Sequence, residues 1–446
     1  MLGKYIKGSS RSVKAQKNIL ASVLFRGADT LVYLLLVPLT LGYLNPYEYG
    51  IWLTLNSMLE WINSFDIGLG NGLRNKLATA LAEGDKAKAR IYVSTTFYAL
   101  IATIVILYAL LAISVEYIDW YSVLNVTKGS VGNLKMIIHV SMFFFCINFV
   151  LKIVGNVFQA LQLPAVNSMI TFSGHFLSLI VIYLFTIFVI PGTLFWVALI
   201  YSASPTLIYL IAYPLTFHSF YSYLSPSTKL FKKEYLKDLM SLSVVFFVLQ
   251  ISSVVLFAMS NLVIANLFGP DQVTPYNIAY RYFSLIPMVF VIIITPMWSA
   301  ATDAYAKNDM EWIKRSNHII VLLLFVFGGM LLTMILCSGI VYHIWIGEKV
   351  FIPLGVSIAT AIYVLIYIWS LSFSYFLNGI GRLRLQMIIT LGAAICFYPI
   401  CFLFGNHLGL IGIPIGMCVI NLPGAIVNTI QFRKVVNKTD AGIWNK

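Results

Sequence analysis

The sequence predicts an all-α, polytopic membrane protein with twelve transmembrane helices, and three observations carry that prediction. Of its 446 residues, 60% are hydrophobic and only 10% are charged. Between Lys152 and Lys229 run 76 residues without one Asp, Glu, Lys or Arg. A charge at the centre of a bilayer costs about 2.5–3.5 kcal/mol even on the lenient insertion scale, so lipid selects such runs and a water-facing surface does not. Third, the apolar stretches recur at roughly 20 to 28 residues, and about 20 residues at 1.5 Å each cross a 30 Å hydrocarbon layer. They are apolar all round, whereas the strands of an outer-membrane barrel alternate.

In chain order the spans fall at 18–42, 47–70, 92–115, 135–158, 166–190, 193–217, 240–267, 276–300, 318–342, 353–377, 387–406 and 409–432. Charged loops bound most of them. Arg74 to Arg90 separates the second from the third, and the segment 116–134, with Glu116 and Asp119, separates the third from the fourth. Lys229 to Lys237 divides the sixth from the seventh, Lys307 to Arg315 the eighth from the ninth, and Arg382 with Arg384 the tenth from the eleventh. Inside the long uncharged run the breaks come from Pro164 and Pro191-Gly192, where a helix must stop and turn. The run therefore holds the end of the fourth span and the whole of the fifth and sixth.

Basic residues set the expected orientation. Of 29 Lys and Arg, 23 lie on one side, in the N-terminal segment, the loops after even-numbered spans and the tail; only Lys128, Lys135 and Lys349 lie on the other. By the positive-inside rule both termini are cytoplasmic. The net charge of +13 is thus a topology signal, and its dispersal over short loops argues against nucleic-acid binding. No cleavable signal peptide is expected, because the first apolar segment is too long for one. The five cysteines all fall within spans, with no CxxC and no metal spacing.

The chain repeats weakly at half its length. Shifting by 224 residues brings Ala82 onto Ala306, Asp85 onto Asp309 and Arg90 onto Lys314. Six spans per half is an even number, so the halves share one orientation and should be related by an axis along the membrane normal. The expected organisation is an N-terminal lobe at 1–217, a basic cytoplasmic linker at 218–238 and a C-terminal lobe at 239–446.

Polar side chains inside the spans are costly and so mark cavities or helix contacts. The first span carries Ser22, Arg26, Asp29 and Tyr33 on one helical face. Arg26 and Asp29 are one turn apart and could equally neutralise each other. The second carries Asn56, Glu60, Asn63 and Asp66; the fourth carries Asn148, Lys152, Asn156 and Gln159. The seventh has Gln250 and Asn261 but no charge, and the eighth has Asn277, Arg281 and Ser284. Lys152 and Arg281 are near enough to span ends to snorkel. Glu60 is hardest to dismiss, since a mid-span carboxylate must be neutral, paired or wetted. Tyr363, Tyr367, Ser370, Ser374 and Asn378 share a face of the tenth span, an arrangement more often used for helix packing than for binding. No GxxxxGK[ST] loop is present, which excludes ATP hydrolysis by a P-loop; no cofactor, metal or enzymatic activity is expected.

Three stretches carry a resemblance: Tyr49-Gly-Ile-Trp52, then Phe65-Asp-Ile-Gly-Leu-Gly-Asn-Gly-Leu-Arg74, then Ala82-Glu-Gly-Asp-Lys86. This pattern resembles the first lobe of the bacterial polysaccharide flippases that handle O-antigen and capsule repeat units, relatives of the multidrug and toxin extrusion (MATE) exporters. The resemblance implies two pseudo-symmetric six-helix lobes around a cavity lined by spans 1, 2, 7 and 8. It also implies alternating access, carrying a polyprenyl-diphosphate-linked oligosaccharide across the bacterial inner membrane for surface polysaccharide synthesis. Arginine suits bidentate phosphate contact, so Arg26 and Arg281 are the expected anion ligands, with Lys152, Asn56 and Asn277 as further substrate contacts. Asp29 and Glu60 are expected to couple a proton or Na⁺, and Tyr33, Asn63, Gln250 and Asn261 to line the cavity. A polysaccharide polymerase is an expected partner, alongside membrane lipids. Two alternatives stay open: a cation-coupled drug exporter of the MATE type, and a membrane-embedded polysaccharide polymerase or ligase.

Overall fold

The computed structural model describes residues 10–62, 69–188, 190–240, 259–306, 308–382 and 384–445. Among these the chain is helical, with no strand, and it divides into two compact units, Met1–Phe247 and Val248–Lys446. Among the described residues nine segments are long and apolar enough to cross a membrane, one of them the hairpin Arg384–Val436, which holds the last two expected spans. The second and seventh expected spans overlap residues outside the described set. Their described parts are the 15-residue helix Pro46–Glu60 and the short apolar helix Met259–Phe268.

Burial shows which solvent these helices are built for. On Met310–Ile346, Phe325, Leu336 and Ile344 are 72%, 76% and 78% exposed. A water-soluble surface does not carry apolar patches that continuous, whereas lipid tails solvate them. The protein is a multi-pass membrane protein.

The first unit comprises α1 (Ser10–Tyr43), α2 (Pro46–Glu60), α3 (Leu69–Ala82), α4 (Lys86–Tyr117), the single turn α5 (Trp120–Val123), α6 (Leu134–Leu151), α7 (Ile153–Ala160), α8 (Pro164–Ile187), α9 (Leu194–Pro214) and α10 (Lys233–Met240). Here α1 lies along α8, α6 and α8 both pack on α9, and α3 packs on α4 and α7. Tyr49 and Trp52 of the quoted motif are core residues, at 1% and 2% exposure, and Trp52 lies against the Tyr201 ring of α9.

The contact of α1 with α8 follows from a seven-residue register. Ser22 and Ser168 share a hydrogen bond of 2.8 Å, and seven residues further along both helices Asp29 meets His175 at 2.7 Å. Phe25 and Phe172 fill the turn between. Without water to drive apolar burial, small and polar contacts of this kind are what hold membrane helices together.

The second unit comprises α11 (Met259–Phe268), α12 (Val273–Ala306), α13 (Met310–Ile346), α14 (Leu354–Ile380), α15 (Arg384–Leu408) and α16 (Gly412–Val436). Its centre is α14, packed on α12, α13 and α16. Tyr276, Tyr280, Tyr363 and Tyr367 form a stacked ladder between α12 and α14, with successive ring centroids 6.0, 6.4 and 6.2 Å apart. The tyrosine face of the tenth span thus packs helix against helix, while its Ser370 accepts a hydrogen bond from Asn428 at 3.0 Å.

The 224-residue repeat reappears as geometry. Gly84 takes φ +78° and Asn308 φ +59°, the left-handed conformation that glycine and asparagine tolerate best. The following aspartate caps the next helix in both places: Asp85 accepts from Lys88 N at 2.8 Å, and Asp309 from Trp312 N at 2.9 Å. Asp85 N reaches back to Ala80 O and Asp309 N to Ala304 O, at 3.0 and 2.8 Å. One helix-turn-helix, with the same hydrogen bonds, therefore recurs in each unit.

Residues 215–240 are docked on the first unit. Arg90 Nε donates to Ser225 O at 2.8 Å, Ser227 N to Ser94 Oγ at 3.1 Å and Lys232 N to Thr95 Oγ1 at 3.2 Å. Lys76 pairs with Asp238, which also accepts from Tyr92 Oη at 2.7 Å; together they hold the Asp238 carboxyl below the usual carboxylate range. Gly72 allows the approach, because a Cβ there would stand 2.5 Å from the backbone oxygen of Leu239. Gly72→Ala is therefore expected to push α10 off α3 and destabilise the protein by about 1–3 kcal/mol, the usual cost of overpacking. Thermal unfolding in detergent checks this; an unchanged midpoint would show that α10 is not held there.

Candidate functional site

The polar face of α1 is set by helical geometry. Leu20, Leu24, Leu31 and Leu35 are all more than half exposed and form one stripe along the helix. At about 100° per residue, Ser22, Arg26, Asp29 and Tyr33 fall on the opposite side. That side is where α8 packs. Asp29 Oδ1 contacts His175 Nδ1 at 2.7 Å, with both side chains about a quarter exposed, at 25% and 27%. The Tyr33 ring meets the imidazole edge-on, centroids 5.5 Å apart.

Arg26 does not neutralise Asp29. Its guanidinium is exposed and has no hydrogen-bond or ion-pair partner among the described residues, although it sits on the side away from the leucine stripe. Asp29, one turn along the same helix, is engaged by His175 instead. On α2, Asn56 Nδ2 donates to Glu60 Oε1 at 3.1 Å, so two of the expected polar residues meet, with Glu60 exposed.

The fourth expected span is two helices, α6 and α7, joined at Lys152. Lys152 is exposed between buried Leu151 and Ile153, and it stands nine residues, half a turn round, from Phe143 on the outer face. Near it, Gln159 accepts from Arg74 Nη1 at 3.3 Å, joining α7 to α3. In the second unit Asn277 Nδ2 donates to Asn261 Oδ1 at 2.7 Å, which ties α12 to α11, and to Val273 O of its own helix at 2.9 Å. Arg281 is half-buried one turn beyond Asn277 on α12. Asn63, Asp66 and Gln250 lie outside the described residues.

His175 was not singled out from the sequence. Its signal was present: Asn167, Thr171 and His175 recur every four residues in a segment free of Asp, Glu, Lys and Arg, a polar stripe matching that of the first span.

These features define a polytopic membrane protein built from two helical units that share a repeated turn, with ionisable side chains set inside the spans. The chain belongs to the polysaccharide biosynthesis protein family, whose model matches residues 15–302. No curated protein resembles it closely enough in sequence to register as a relative. Its fold is that of the MATE transporters. A multidrug resistance MATE family transporter of the MOP superfamily in its inward-facing conformation aligns with a TM-score of 0.77 and 16% identity, covering 94% of this chain and 100% of the other. A MATE protein in complex with MaL6 aligns at 0.64 and 17%, covering 95% and 97%. The outward-facing conformation of a multidrug resistance MATE family transporter aligns at 0.60 and 16%, covering 95% and 94%.

Proposed function

We propose that the protein is a transporter, not an enzyme, which moves polyprenyl-diphosphate-linked oligosaccharide from the cytoplasmic to the outer leaflet of the bacterial inner membrane, for cell-surface polysaccharide synthesis. The two units are its two lobes, and both termini are cytoplasmic. Membership of the polysaccharide biosynthesis family supports the substrate class. The observation that supports the mechanism is the exposed Arg26 on the polar face of a spanning helix, without a side-chain partner among the described residues and beside the Asp29–His175 pair. An oligosaccharide cannot enter lipid, but its diphosphate can be held by a guanidinium while the prenyl tail stays in the bilayer. Arg26 is the ligand for that diphosphate, and Lys152 and Asn56 of the same unit contribute further polar contacts. Asp29 with His175, and Glu60, carry the coupling ion.

The names of the structural neighbours favour a second reading, a MATE-type drug exporter. Deleting the gene and locating the lipid-linked oligosaccharide separates the two. A lipid-linked flippase predicts undecorated cells with intermediates trapped on the cytoplasmic face. Intermediates that reach the outer leaflet without extension would point to a polymerase, and normal glycan with raised drug sensitivity to an exporter.

A further inference from the structure

Residues 215–240 have a surface that the transport reading does not use. The segment follows a spanning helix directly, since the apolar run that begins at Leu194 ends at Phe220. Its inner side is fixed by the hydrogen bonds to Arg90, Ser94, Thr95, Tyr92 and Lys76 described above, and by Leu224, which is fully buried. Lys86 lies over the Tyr223 ring at 5.3 Å, and Tyr235 packs edge-on against Tyr92 at 4.9 Å. The outer side is therefore a rigid shelf at the end of a membrane helix. It presents Lys229, Lys232, Lys233 and Lys237, all exposed, with Phe220 at 73% and Phe231 at 42% exposure. The segment's two acids are Glu234, which is exposed, and Asp238, whose carboxylate is engaged by Lys76 and Tyr92.

We propose that this shelf binds the headgroups of anionic phospholipids in the adjoining leaflet. The chemistry is complementary at two depths: the lysines meet phosphate, while Phe220 and Phe231 enter the acyl boundary as interfacial anchors. Clusters of four or more basic residues next to a spanning helix attract anionic lipid, and apolar rings alongside them add insertion. A merely solvated basic face would not hold two exposed phenylalanines on the same rigid surface. The proposal does not rest on the transported substrate.

The test uses delipidated full-length protein in detergent, titrated with phosphatidylglycerol or phosphatidylcholine of the same chain length and read by native mass spectrometry. Each juxtamembrane lysine contributes about fivefold to anionic-lipid binding. With screening, K229Q/K232Q/K233Q/K237Q should weaken phosphatidylglycerol retention by at least about tenfold and leave phosphatidylcholine unchanged. The four-arginine counterpart should keep binding, and F220S/F231S should weaken both lipids. Unchanged phosphatidylglycerol retention in the glutamine variant would overturn the proposal. So would displacement by excess inorganic phosphate, which would make the shelf a free-anion site. Equal thermal midpoints for wild type and variants exclude unfolding as the cause.

Discussion

Arg26→Ala is expected to abolish surface glycan while the protein still reaches the membrane at its normal level. The magnitude follows from the chemistry. A hydrogen bond to a charged group contributes about 1.5–3 kcal/mol, so losing a two-pronged contact to phosphate costs about 3 kcal/mol or more. That is roughly a hundredfold in affinity. Arg26→Lys keeps the charge as a point and loses the fork, so it should retain part of the activity. The side chain contacts no described partner that its removal would strand, so the alanine variant should fold as wild type. Measuring surface glycan beside membrane protein level decides the matter. Normal glycan in Arg26→Ala would remove Arg26 from the binding reading.

The fold was legible because lipid imposes a composition. Charge-free runs and proline breaks located the helices of the described residues without any packing information. The repeat was legible too: the Gly84-Asp85 and Asn308-Asp309 turns show why so few identities survive at that offset. A left-handed position needs glycine or asparagine and a cap needs a short acceptor, while the flanking helix positions need only be apolar or helix-forming. What stayed hidden was partner choice. Arg26 and Asp29 are neighbours in sequence, and nothing in their spacing says that Asp29 turns to His175 of α8, 146 positions away, instead. Nor could the docking of 215–240 be read. Two of its tethers are backbone amides meeting the hydroxyls of Ser94 and Thr95, and Gly72 matters for the absence of a side chain.

Asp29→Asn is expected to uncouple transport from the ion gradient, because the Asp29–His175 pair is the best-formed titratable unit inside the described spans of the first unit. His175 is held by the Asp29 carboxylate at 2.7 Å, with the Tyr33 ring against its edge and Arg26 on the same face of α1 as Asp29. A proton taken up at this pair would remove a negative charge from between α1 and α8, the helices whose seven-residue register it completes. A change of charge there can bias one helix packing over another, and that is what coupling requires. Asparagine keeps the shape and can still hydrogen-bond the imidazole, so the fold should survive. In proteoliposomes with an imposed proton gradient, Asp29→Asn and His175→Gln should each lose at least about tenfold of gradient-driven flux, about 1.4 kcal/mol, while substrate exchange without a gradient continues. That split matters, since a structural lesion would depress both. Gradient-driven flux equal to wild type in both variants would make the pair a helix contact and leave Glu60, hydrogen-bonded to Asn56 on α2, as the remaining carboxylate to carry the ion.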